Sequence, residues 1–284
     1  MPACAVSGRR PSRWTRPPDA FWRPSFAPIP SSGPRQAPSG PTSPHAARTI
    51  SSPGWGKATV KVLKALRGRG YYPNNGCCGL LPFNYGSLED ARRLAKANIE
   101  RFEAAGCPGS APVVGDCSSC VAFMKSYPQL FLDDPPWRDR AERFAARVRD
   151  AIETIPASDV PRAAVPGPIT YHDSCRARNA QGLVAQPREV MRALGGEAFR
   201  ELPEADACCG GAGAFAFTHP RLSDELLRRK TANIATTHAR VVAASSTSCL
   251  IQLAHGLKKY YPECRVAHLT ELVAESLDAS AGRA

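Results

Sequence analysis

The doublet Cys77-Cys78-Gly79 recurs as Cys208-Cys209-Gly210, and each copy is followed by another cysteine after a similar interval. Cys78 to Cys120 is 42 residues, and Cys209 to Cys249 is 40. The intervening stretches echo each other, with Lys96-Ala97-Asn98-Ile99 against Lys230-Thr231-Ala232-Asn233-Ile234. Val113-Val114 then leads to Ser118-Ser119-Cys120 as Val241-Val242 leads to Ser245-Ser246-Thr247-Ser248-Cys249. An echo at fixed period marks duplication of one structural unit. Thiolates at matching points of both copies point to two equivalent sites for a soft metal or a cluster. The candidate ligands are Cys77, Cys78, Cys117 and Cys120 in the first copy, and Cys175, Cys208, Cys209 and Cys249 in the second.

Three chemistries compete for these thiols. An iron–sulfur cluster needs several thiolates converging on a compact core and tolerates long loops between them when strands fix the loop ends. Glycine after each doublet lets the backbone pass close to a bulky group. Zinc would also account for the thiolates and is an option at one site, but it favours short C-x-x-C knuckles on both sides. The second copy has no such knuckle, because Ser246 stands where the first cysteine would be. Thiol–disulfide exchange ranks third, and neighbours such as Cys77 and Cys78 rarely pair with each other. His172 reads as an orienting or capping group near a strand end. His45, His219, His238, His255 and His268 read as surface or structural residues. Cys107 and Cys264 read as small apolar residues, and Cys4 carries no role. Gly210-Gly211-Ala212-Gly213 could cradle a phosphate, but beside a cysteine doublet it reads as room for a cluster. No catalytic residue or substrate pocket stands out.

The elements that must hold these residues alternate. Val60, Leu63 and Leu66 recur at helical spacing, and Tyr71-Tyr72 reads as a short strand before the first doublet. Residues 88–105 predict an amphipathic helix with Leu88, Ala91, Leu94, Ala95, Ile99 and Phe102 inward. Residues 111–115 predict a buried strand, and Cys117-Ser118-Ser119-Cys120 opens a helix whose N-terminal dipole favours thiolate. A charged helix over 137–155 and a linker over 156–168 follow. The second half repeats the scheme: strands at 169–171, 199–202, 240–244 and from 266, and helices over 222–237, from 249 to 258, and on to Leu277. Such alternation predicts an α/β fold of two pseudo-repeated halves, each a small parallel sheet with flanking helices. Ligands then sit at the carboxyl ends of strands.

The formal net charge of +12 is not a nucleic-acid signal, because residues 1–53 hold seven arginines and a single acid. That segment also carries twelve of the 27 prolines and is expected to be disordered. A start codon placed too far upstream would account for it. The first half is expected over 54–156 and the second over 166–277. No apolar run is long enough to span a membrane, and the clustered cysteines without a secretory segment suit a reducing cytoplasm.

The duplicated doublets, Tyr127-Pro128-Gln129-Leu130-Phe131-Leu132-Asp133-Asp134-Pro135-Pro136-Trp137, His172-Asp173-Ser174-Cys175 and the stretch from Glu201 to Asp206 together resemble the cysteine-rich CCG-domain family. That family includes the B subunit of heterodisulfide reductase, the iron–sulfur subunit of glycolate oxidase and the lactate-utilisation iron–sulfur proteins. The likeness covers about residues 54–277. It implies a cubane or non-cubane [4Fe–4S] cluster held by the cysteines of each half. It further implies a cytoplasmic electron-transfer subunit of an oxidoreductase acting on L-lactate or glycolate. Such a subunit would work with partners carrying flavin or ferredoxin-type clusters, through which it could lie peripheral to the inner face of the membrane. The alternatives are a heterodisulfide-reductase-like cluster enzyme and a zinc-bearing, non-enzymatic assembly module. Family members open the first copy with a strand and a cysteine. Here that place is filled by Pro, Ser, Arg and His45, so the first half is expected to lack both and to be the weaker site.

Overall fold

The computed structural model describes residues 45–47, 53–68, 70–71, 75–105, 109–161, 165 and 167–282. The disorder expected for residues 1–53 falls outside these, apart from a strand at 45–47 and the first residue of the helix that follows. Cys4 and Cys107 also lie outside them.

Two parallel sheets form the frame. In the first half β1 (His45–Ala47), helix α1 (Pro53–Arg67), β2 (Gly70–Tyr71), α2 (Leu80–Asn84) and α3 (Leu88–Glu103) lead to β3 (Val113–Gly115). Then come α4 (Ser118–Lys125), α5 (Pro135–Ala145) and β4 (Val148–Asp150), in a sheet of order β2-β1-β3-β4. In the second half β5 (Ile169–Tyr171), α6 (Cys175–Gln181), α7 (Ala185–Gly195), α8 (Phe215–Thr218) and α9 (Pro220–Thr236) lead to β6 (Val241–Ala244). Helix α10 (Thr247–Tyr260), β7 (Arg265–His268) and α11 (Leu269–Ala281) complete the chain, with strand order β5-β6-β7. Phe199 adds a single parallel bridge to Ile169 on the open side of β5.

All pairings are parallel, so the chain leaves every strand at the same edge of its sheet. From β1 it crosses to β2 on one side and then to β3 on the other; from β5 it crosses to Phe199 and then to β6. The reversal creates a crevice beyond the carboxyl ends of β1 and β3, and of β5 and β6, where ligands of open α/β sheets bind.

The two halves share one body. Val62 of α1 joins Ile152, Ile169, Tyr171, Met191 and Leu272 in one apolar cluster, and Thr59 Oγ1 meets Thr270 Oγ1 at 2.8 Å. Burial of such side chains contributes roughly 1.5–3 kcal/mol each.

The first half has its opening strand, contrary to the sequence expectation. Ala46 pairs with Val113 as Thr170 pairs with Val242, so β1 stands where β5 stands in the other half. Three short residues between proline- and arginine-rich flanks carry no periodic signal, and only the neighbouring strands reveal them. Counted from that register, the counterpart of Cys175 is Ser51, which lies outside the described residues. The counterpart of Cys117 is Ser246. Each half therefore holds four cysteines of a five-position pattern, and the missing positions differ. The helix expected over 137–155 ends at Ala145, giving way to β4. The expected strand from Phe199 shrinks to one bridge. Leu88, expected inward, is 39% exposed.

Candidate metal centre

In the first half Cys77 and Cys78 follow β2, and Cys117 and Cys120 follow β3. Cys78 is in side-chain contact with Cys77 and Cys120, and Cys120 with Cys117, so the four thiols form a chain. Cys78 and Cys117 are buried, Cys120 is half-buried and Cys77 is exposed. Protons divide accordingly. The neighbouring Cys120 and Cys77 thiols hold Cys78 well below the usual thiol range. Cys120 pulls Cys117 down to about 6, helped by the Thr247 hydroxyl and backbone N–H from the second half. Cys120 is pushed up by Cys117, then by Cys78 and burial; Cys77 is pushed up by Cys78 and then by burial. Two buried thiols whose pKa is lowered by neighbouring thiol donors suit a soft cation.

The loop is held from below. Asn98 accepts from Gly76 N at 2.9 Å and donates to Cys77 O at 2.8 Å. The buried Tyr127 hydroxyl donates to Cys78 O at 2.7 Å. Gly79 takes φ +92, and a Cβ there would sit 3.3 Å from Ala91 O. A small cavity lined by Asn75, Phe102, Asp116 and Met124 lies beside Cys117 and Cys120.

In the second half the buried atoms that converge are the sulfurs of Cys209 and Cys249 and a ring nitrogen of His172, all within 4.8 Å of one another. Cys208 touches Cys209, whose thiol raises its pKa, with burial adding to the rise. Cys208 and Cys175 are exposed, the latter at the first position of α6. The sequence reading grouped Cys175, Cys208, Cys209 and Cys249; the compact buried group contains Cys209 and Cys249 with neither Cys175 nor Cys208. His172, read as an orienting group, is only 1% exposed, and its Nδ1 has no hydrogen-bond partner. Its position directly after β5, three residues before Cys175, was the one available sequence signal.

The supports differ between halves. Lys230 of α9 is buried and donates to the carbonyls of Glu204 and Ala205, ahead of the doublet. Burial lowers its pKa, and the neighbouring Cys209 opposes that shift. Asp173 is locked by Arg188, with Nη1–Oδ1 and Nη2–Oδ2 both at 3.0 Å, and by Arg178 at 3.1 Å. His172 N donates to Ala243 O at 2.9 Å and Asp173 N to Ala205 O at 3.1 Å. Gly210 at φ +83 places its hydrogen where a Cβ would lie 2.7 Å from Ser223 O. Close approach of doublet to helix is thus built into both halves.

The two centres meet at the seam. Ser118 N donates to Ser245 O at 2.9 Å, Ser118 Oγ to Ser245 Oγ at 2.8 Å, and Ser119 Oγ meets Ser246 Oγ at 2.7 Å. His268, expected to be structural, caps α11 and reaches Asp116 O through Nε2 at 2.6 Å. Cys264 is buried, and burial pushes its thiol up to about 12, as an apolar residue requires. Among the described residues no helix is long and apolar enough to cross a membrane.

Paired parallel units with thiols at their switch points define a duplicated, cysteine-rich α/β protein. The chain belongs to the CCG cysteine-rich domain family, whose two matches fall on residues 44–125 and 169–254. Lactate utilization protein A of an Exiguobacterium species is 33% identical over 230 residues, covering 79% of this chain and 92% of that protein. The probable glycolate oxidase iron-sulfur subunit of Bacillus subtilis is 31% identical over 227 residues. The chain spans half the length of that subunit. A hypothetical protein from Helicobacter pylori, solved by crystallography, matches in fold with a TM-score of 0.53 at 10% identity, over 87% of this chain and 51% of that one.

Proposed function

We propose that this protein is the iron–sulfur subunit of a complex that oxidises L-lactate or glycolate, passing electrons between a partner that bears flavin and a partner that bears ferredoxin-type clusters. The observation that carries the reading is the first-half chain of four contacting thiols at a sheet switch point. The names carried by the relatives supply the substrate class.

An iron–sulfur centre, cubane or non-cubane [4Fe–4S], supplies reversible one-electron chemistry when bound. Cys77, Cys78, Cys117 and Cys120 would hold it in the first half, and Cys208, Cys209 and Cys249 with Cys175 in the second. Cys78, Cys117, Cys209 and Cys249 are withdrawn from water, whereas Cys77, Cys175 and Cys208 reach the surface. Buried thiolates with exposed neighbours keep solvent off a centre while leaving a short path for electrons to a docked partner. The serine seam joins the two sites inside one rigid frame, and Thr247 supports the Cys117 thiolate across it.

The test is anaerobic purification of the full chain followed by iron, sulfide and zinc determination and growth of a deletion strain. Iron with sulfide and failure to grow on L-lactate, or on glycolate, supports the reading and selects the substrate. A colourless zinc protein, or a deletion strain growing normally on both acids, overturns it.

A further inference from the structure

We infer that His172 is a metal ligand, completing the second-half centre with Cys209 and Cys249 where Ser246 has replaced the cysteine of the five-position pattern. The inference rests on the proposed metal-bearing role and adds a nitrogen donor to a site otherwise made of sulfur.

Four observations converge on this residue. One ring nitrogen and the two sulfurs are mutually within 4.8 Å. Two donors on a single ion at bond lengths of about 2.0–2.3 Å lie closer than about 4 Å, so only a small adjustment separates this trio from a ligand set. His172 is 1% exposed, yet its Nδ1 has no partner. A buried imidazole nitrogen left unpaired is destabilising, and coordination through it would remove that cost. The backbone aims it: His172 N extends the β5–β6 ladder onto Ala243 O, and Cys249 lies in the first turn after β6. Imidazole and thiolate therefore leave adjacent strands at the same edge. Finally, the thiolate set in this half is short of one member. Ser246 Oγ is engaged with Ser119 Oγ at 2.7 Å and turned to the seam, while Cys175 and Cys208 sit at the exposed rim.

A rival reading gives His172 a hydrogen-bonding role towards the Cys209 or Cys249 sulfur. Ligand and hydrogen-bond donor respond differently to replacement by cysteine, which can bind metal but cannot reproduce an N–H donor. The experiment uses the full chain with Cys78→Ser and Cys120→Ser, so that metal reports on the second half. In this background His172→Ala, His172→Asn and His172→Cys are compared for metal content, thermal stability and X-ray absorption at the edge of whichever metal is found. Expected is a nitrogen shell at about 2.0–2.1 Å that vanishes in all three variants. Metal retention should fall at least about tenfold in Ala and Asn and recover in Cys with an added sulfur scatterer. An unchanged nitrogen shell, or full metal retention by His172→Asn, overturns the assignment. So does a Cys variant that folds yet behaves like Ala. Which metal appears bears separately on the proposed function: zinc with an intact His172 shell overturns the iron–sulfur reading and leaves this assignment standing.

Discussion

Cys117 Sγ lies 3.9 Å from Ser246 Oγ, and these two residues occupy the same position in the two halves. The duplication therefore brings equivalent points of its cysteine pattern into contact, one as a thiol and the other as a hydroxyl. A cysteine at both would put two sulfurs against each other at the seam. Serine on one side avoids that and ties the halves through Ser119. Ser246→Ala should remove the Ser119 bond and the Cys117 contact, lowering stability by roughly 1–2 kcal/mol by thermal or chemical unfolding. It should also make first-half iron easier to chelate. A variant with wild-type stability and unchanged chelation would show that the seam contributes nothing.

Glycine at 210 is required by its backbone and its neighbour together. Alanine in the left-handed region costs about 1–2 kcal/mol, and its Cβ would stand 2.7 Å from the Ser223 carbonyl. Gly210→Ala should destabilise the protein more than Gly79→Ala, whose Cβ meets Ala91 O at 3.3 Å. Unfolding midpoints measured side by side check the order.

Tyr127→Phe deletes the donor to Cys78 O and leaves that carbonyl and Asn98 Nδ2 each short of a partner. The ring keeps its stacking on Phe144. A loss of roughly 1–2 kcal/mol is expected, together with faster loss of first-half iron to a chelator. Unchanged iron loss with reduced stability would confine the tyrosine to a packing role.

Two buried groups act in opposite directions on acid stability. Burial holds His268 down at about 4. Between pH about 6.5 and 4 the unfolded chain binds a proton the fold refuses, so its contribution, roughly 3 kcal/mol, is lost as pH falls. Burial pushes Asp150 up to about 6. Above pH about 4 the unfolded chain releases a proton the fold retains, so roughly 3 kcal/mol is lost as pH rises to about 6. The two offset each other in the native chain. Asp150→Asn should expose a fall in stability on acidification from pH about 6.5, and His268→Asn a fall as pH rises from about 4 to 6. Denaturant midpoints across this range, flat in both variants, would refute the assignment.

With β1 in its sheet, one of the two reasons for expecting a weak first site is gone; the first cysteine is still missing, but the second half also lacks one of the five positions, at Ser246. Cys78→Ser and Cys209→Ser should each remove a comparable share of the iron per chain, since serine is a poor ligand for soft sites. A loss confined to Cys209→Ser would restore the asymmetry first expected.

The sequence alone determined the duplication and the α/β character, because a repeated doublet with glycine and a helical period of burial are local patterns. Helix α3 is an example: its inward Ala91, Ala95, Ile99 and Phe102 are all buried. Residues whose roles depend on partners far along the chain were not legible. The three residues of β1 have no period to display, and their strand identity comes from pairing with Val113 and Val114. His172 looks like any strand-end histidine until parallel pairing sets its ring beside Cys209 and Cys249, 37 and 77 residues onward. Ser246 looks like a lost ligand until the halves close and set it against Cys117. Spacing records what one segment can do; which segments share an edge is decided by packing of both sheets into one body, and only the tertiary structure contains that.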